Sequence, residues 1–214
     1  MRVLVVLLLS VSSALAQDAR PIRILARHAV QFEKNLPAPA RKLALTLAYL
    51  ENSGWTPDTI LSAIRESARI LGQCGIALEQ ADVVRIEAPS RYRDFQTATA
   101  REFVRALPLD KPAIYFVAGT RQRPAFDAEA IGRGNSAARP ELRDTVWVAR
   151  GARDLDIVLA HELAHVLMDS GEHLEESGNL MREDTAPDNT RLNQAQCTRL
   201  RETATANGLL QPVR

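Results

Sequence analysis

The chain has 214 residues, 27 Lys and Arg against 26 Asp and Glu, a formal net charge of +1 and 46% apolar residues. That length suits one domain with a real core and is short for two. The balanced charge supplies no whole-chain field that would favour nucleic acid or an anionic membrane as partner.

Residues 1–16 read as a secretory signal: Arg2 gives the positive start, Val3 to Leu9 the apolar stretch, and Ala14-Leu15-Ala16 the small-residue cleavage site before Gln17. The apolar stretch is too short to span a bilayer, and no later segment approaches the roughly 20 apolar residues that would. An uncleaved anchor is the alternative. The residue at the cleavage site is Gln17 and not Cys, so a lipid anchor is not expected. The mature chain is expected to begin at Gln17, secreted or periplasmic, with no stable membrane anchor.

Residues 17–41 are read as an N-terminal extension. Their basic residues and those just beyond (Arg20, Arg23, Arg27, Lys34, Arg41, Lys42) alternate with apolar ones, as on a solvated strand face; a binding role is the alternative. Ile22 to Phe32 has strand character, and the prolines Pro37 and Pro39 break it. Leu43, Leu45, Leu47 and Tyr49 then alternate as in a half-buried strand. After Ser53-Gly54, Thr56-Pro57 opens a helix in which Ile60, Leu61, Ile64, Ala68 and Leu71 recur at helical spacing, ending at Gly72 or Gly75.

Cys74 lies at that end, and Cys197 is the only other cysteine. In an exported chain an even pair tends to join, so a disulfide is the favoured reading, with two separate buried thiols as the alternative. Ile76 to Ile86 reads as a further strand, Phe95 to Leu107 as a short helix, and Ala113 to Val117 as a buried strand. Arg121 to Arg143 shows no strong period and is rich in Gly, Pro, Arg and Ala. Its Gly132-Arg133-Gly134 lacks the Lys-Ser/Thr of a phosphate loop and the third glycine of a dinucleotide fingerprint. The segment is either flexible surface or a rim over a cleft.

Thr145 to Val148 is another strand, and Asp154-Leu155-Asp156 offers an Asp N-cap to a largely apolar helix containing His161-Glu162-Leu163-Ala164-His165. On a helix this spacing puts two imidazoles on one face, one turn apart, where they can share a zinc ion; Glu162, about 100° round, can take a proton from water. Chance would give such a string in roughly one chain of this length in a few hundred, so accident is a poor explanation. Core histidines satisfied by carbonyls are the plainer alternative.

A catalytic zinc usually has three protein ligands and an open position. His173 is the leading third candidate, reached if the helix breaks at Ser170-Gly171 and Gly171 supplies the turn. Asp169 continues the histidine face, but a continuing helix would lift it about 12 Å from His161, so a supporting role suits it better. Glu172, Glu175 and Glu176 could instead make a site of two histidines and one carboxylate, or form a solvated acidic turn. His28 reads as an ordinary surface histidine.

From His161 onward the chain resembles the metzincin group of zinc peptidases: His161, Glu162 and His165 on a helix, a turn at Gly171, a third His at 173, then Ser177-Gly178-Asn179-Leu180-Met181, which looks like the methionine turn of matrixin-like members. The order of earlier elements fits over roughly residues 42–208. The spacing departs from the group's pattern, since Gly171 lies six residues after His165 and His173 two after Gly171.

The resemblance implies an α+β, zincin-like fold with residues 42–214 as the catalytic domain. A mixed twisted sheet would carry a long first helix and the active-site helix, beside a small C-terminal part. It implies one Zn2+ held by His161, His165 and His173 above Met181, with Glu162 as general base cutting a protein or peptide substrate. A substrate strand could pair along a sheet edge near Arg121 to Thr145. The alternative is a secreted zinc-binding or interaction module with little or no turnover. Zinc hydrolysis of a non-peptide bond is a third reading, and no Ser-nucleophile signature supports a metal-free hydrolase.

Overall fold

A computed structural model describes residues 21–32 and 40–213; the expected signal, residues 1–16, lies outside them, as do Arg20 and Lys34. The strands are β1 (Arg23–Gln31), β2 (Arg41–Leu50), β3 (Ile76–Glu87), β4 (Asp94–Phe95), β5 (Ala113–Val117), β6 (Gly119–Thr120), β7 (Ala128–Ile131), β8 (Thr145–Ala149) and β9 (Leu210–Pro212). The helices are α1 (Pro57–Gly72), α2 (Thr97–Ala106), α3 (Leu155–Met168) and α4 (Gln194–Ala206).

The main sheet runs β1-β3-β2-β5-β8-β7, with β9 joining β2, while β4 and β6 form a separate short pair. β3, β2, β5 and β8 are parallel; β1 and β7 are antiparallel to their neighbours at the two edges. Parallel strands are covered on both faces, and β2 shows it. Leu43, Leu45 and Leu47 enter one core with α1, α3 and α4, whereas Ala48 and Leu50 enter a second core with Phe103 and Val104 of α2. The alternation read as half-buried is therefore a strand buried on both sides. β1 supplies an edge of the same sheet from within residues 17–41, and there Arg27 pairs with Asp82 and Asp110.

Helix α1 starts as its sequence predicts, with the Thr56 hydroxyl accepting from the Thr59 amide and Pro57 in the first turn. Ser67 is small enough to let α3 approach, and its buried hydroxyl donates to the Asp156 carbonyl at 2.8 Å. The short helix expected from Phe95 begins at Thr97, because Asp94 and Phe95 pair with Gly119 and Thr120 instead.

Cys74, just past α1, is bonded to Cys197 in α4 with Cα atoms 4.8 Å apart, which sets aside the alternative of separate thiols. Around that bond the Leu192 amide donates to the Gln73 side chain, and Arg201 donates to the Cys74 carbonyl. The C-terminal part is thereby fastened to the end of α1. Among the described residues no helix is long and apolar enough to cross a membrane.

Candidate metal centre

Helix α3 is buried on nearly every side, between the sheet, α1, α4 and β7. Its two histidines are therefore desolvated, and they need defined partners. His161 Nδ1 donates to the Leu180 carbonyl at 2.8 Å and His165 Nδ1 to the Ser170 carbonyl at 2.6 Å. A carbonyl only accepts, so each ring carries its hydrogen on Nδ1 and presents the lone pair of Nε2.

Those lone pairs converge. His161 and His165 Nε2 are 2.9 Å apart, His173 Nε2 is 3.2 Å from that of His165, and the ligand atoms of all three lie within 4.8 Å of one another. Zn–N bonds of about 2.0–2.1 Å in a tetrahedron would put the nitrogens about 3.3 Å apart. Acceptors aimed at one another in a buried place repel unless a cation lies between them, so the donor set and its orientation fit a zinc ion. Burial holds the His161 imidazole below its ordinary value, and burial together with His161 brings His165 down to about 4. Both are thus neutral near pH 7, the form that binds metal.

The path to His173 differs from the one read in the sequence. Helix α3 ends at Met168, and Asp169 takes the left-handed conformation (φ 48°, ψ 50°), its amide and that of Ser170 bonding back to Val166 and His165 carbonyls. Gly171 was expected to carry this turn; Asp169 carries it two residues earlier, since Asp is among the few non-glycine residues that visit that region readily. The chain then runs back exposed through His173, and the Leu174 amide donates to the Met181 carbonyl at 2.8 Å.

The carboxylate alternatives point elsewhere. Glu172 pairs with Arg199 at 2.7 Å, which holds its carboxyl below the usual range, Glu175 faces Arg182, and Glu176 accepts from the Asn179 amide. His28 is exposed on edge strand β1.

Met181 is buried in the main core, in the turn whose Leu180 carbonyl orients His161. Asn179 holds that turn. Its side chain exchanges two 3.0 Å hydrogen bonds with the buried Gln196 amide and accepts from the Met181 amide. Gln196 also closes a capping box with Asn193 at the start of α4.

Glu162 faces a cleft of about 430 Å³, bordered by Ala128, Glu129 and Ala130 of β7 and by Gly132, Gly134 and Glu183. Burial pushes its carboxyl up to about 8, against the Ala130 amide, which donates to it, and with help from Glu129. A cation held by the three histidines would act the other way. β7 lies inside the segment that shows no strong period in sequence, and its residues border the cleft with Gly132 and Gly134, as the rim reading has it. The Ala130 amide, the bond from the Gly134 amide to Asp169, and the Leu180 carbonyl had no place in the sequence reading. The pair of glycines without phosphate chemistry was the one available signal, because close backbone approach also requires glycine.

No protein-family model and no curated protein matches the chain. Among solved structures it is similar to metalloproteinase-II from Bacteroides fragilis, with a TM-score of 0.52 and 19% identity over 89% of this chain. It is similar also to archaemetzincin from Methanopyrus kandleri, with a TM-score of 0.50 and 12% identity over 77% of this chain and 96% of that one. The chain spans 60% of the length of the Bacteroides protein. At these identities the likeness is one of fold: α+β and metzincin-like.

Proposed function

We propose that this is an exported zinc endopeptidase in which His161, His165 and His173 hold one zinc ion and Glu162 is the general base. The observation that carries the reading is the convergence of three imidazole nitrogens, two with their tautomers fixed by carbonyls, beside a carboxylate in an open cleft. Zinc bound there would polarise a scissile carbonyl and make water acidic enough to lose a proton near neutrality. Glu162 takes that proton and passes it to the leaving amine. β7, at the edge of the sheet, is where an extended substrate would pair. The fold of the two metallopeptidase neighbours supports the reading.

Export rests on the pattern of residues 1–16 and on the disulfide between Cys74 and Cys197. Protein recovered after secretion should have an intact mass that begins at Gln17 and lacks two hydrogens.

The deciding experiment compares wild type with Glu162→Gln, measuring zinc content and cleavage of an unfolded protein. Both should bind one zinc, with the variant slower by about 10²–10⁴. Zinc-loaded wild type that cuts nothing across a broad peptide library would favour the binding module instead. Equal cleavage by both would remove Glu162 from the chemistry.

A further inference from the structure

Asp169 stands between the histidine helix and the rim of the cleft. Its Oδ1 accepts a 2.8 Å hydrogen bond from the Gly134 amide. A Cβ placed on Gly132 would lie 2.8 Å from the same oxygen, so any other residue at 132 would have to displace the carboxylate. The rim is held from its other side by Arg133, which donates to buried Asp144 and, at 2.7 Å, to the Asn207 carbonyl. The rim leads directly out of β7, whose Ala130 amide donates to Glu162. On the helix side, the residue after Asp169 provides the carbonyl that orients His165.

We propose that Asp169 is a positioning residue: its side chain latches β7 and the Gly132-Arg133-Gly134 rim to the end of the metal-bearing helix, so that the edge offered to a substrate strand is fixed relative to the histidines. Backbone and side chain do separate things here. The left-handed backbone turns the chain toward His173, a task glycine performs equally well. The carboxylate then fills the space beside Gly132 and holds the rim, which glycine cannot do.

Three substitutions separate the roles. Asp169→Asn keeps an acceptor oxygen and tolerates the left-handed turn, Asp169→Gly keeps only the turn, and Asp169→Ala keeps neither. Amide hydrogen exchange over residues 128–136, read on zinc-loaded protein, requires no activity. Exchange there should speed up about tenfold in Asp169→Gly, the scale of one lost hydrogen bond, with Asp169→Asn well short of that and zinc content unchanged in both. Gly132→Ala should loosen the same residues by displacing the carboxylate, and should add nothing in the Asp169→Gly background. The kinetic arm rests on the peptidase reading: with an extended peptide substrate, KM should rise about tenfold in Asp169→Gly while kcat stays within about threefold.

Unchanged exchange in Asp169→Gly overturns the proposal, as does Asp169→Asn behaving like Asp169→Gly. A wild type that cuts no peptide would overturn the peptidase reading and leave the exchange result to decide the latch.

Discussion

Helix α1 opens on a Thr hydroxyl that accepts from an amide three residues on, and it buries 6 of its 16 residues along one face. Helix α3 opens on Asp154, whose left-handed backbone (φ 48°, ψ 52°) puts its side chain in no cap bond, and it buries 11 of its 14 residues. An Asp that caps a helix through its side chain has extended dihedrals, so the cap expected of Asp154 is not available in this conformation. The difference is one of support. α1 is specified largely by its own sequence, through cap, proline and apolar spacing; α3 is specified by what surrounds it. A helix held on all sides can keep two imidazoles in fixed orientations, and one lying half in solvent cannot.

The contrast is broken most directly by cavities. Leu167 of α3 is fully buried, and Leu167→Ala should lower the free energy of unfolding by about 2–5 kcal/mol. Leu61 of α1 is only partly buried against the same core, and Leu61→Ala should cost less than about 1.5 kcal/mol. Urea unfolding of both variants without metal measures the gap. Equal costs would mean that α3 relaxes into the space and is not held as tightly as its burial implies.

Metal binding is the second measure of that rigidity. Apparent zinc binding energies of about 10–16 kcal/mol in structural sites with four protein ligands come to about 3 kcal/mol per ligand. His165→Ala and His173→Ala should each weaken zinc affinity by about a hundredfold or more, with His28→Ala unchanged, as read by competition with a chelator. If His173→Ala lost no more than Glu172→Ala, the site would belong to the two helix histidines and another partner.

These expectations also mark where the sequence was readable. The helix pair His161 and His165 could be placed from spacing alone, because a 3.6-residue period converts four positions into one face. The parallel strands could be placed from their apolar runs. β7 could not, since Ala128-Glu129-Ala130-Ile131 is short, has one β-branched residue, and is a strand because β8 offers it a ladder. The turn at Asp169 was assigned to Gly171 because glycine is the commoner left-handed residue; what favours Asp169 is a contact with Gly134, 35 residues away, that no local pattern contains. Likewise Asn179 could be seen as part of a turn, but not that Gln196 completes it.

That pair gives the next prediction. Asn179→Ala leaves the Gln196 amide nitrogen and the Met181 amide without their acceptor in a buried place. Such orphaned groups cost about 1–3 kcal/mol each, so stability should fall by at least about 2 kcal/mol. Because the Leu180 carbonyl that orients His161 sits in the same turn, zinc affinity should also fall, by about tenfold to a hundredfold. A loss of stability with unchanged zinc affinity would show that His161 is oriented by α3 alone.

The smallest effect bears on how the two helices begin. Thr56→Ala removes the bond from the Thr59 amide and should cost about 1 kcal/mol. Asp154→Asn removes no side-chain cap bond, since none is made, and Asn tolerates the left-handed backbone that Asp154 adopts. What it does remove is a negative charge near the helix start, which at an exposed end contributes about 0.3–1 kcal/mol in low salt and less as salt screens it. Asp154→Asn should therefore lie within about 0.5 kcal/mol of wild type at physiological ionic strength, and any deficit should shrink further in 1 M salt, whereas the Thr56→Ala deficit should persist. Parallel thermal melts at low and high salt distinguish the two. A salt-independent loss near 1 kcal/mol at Asp154 would mean that its carboxylate makes a specific bond that an amide cannot replace, and that α3 draws on its own sequence as α1 does.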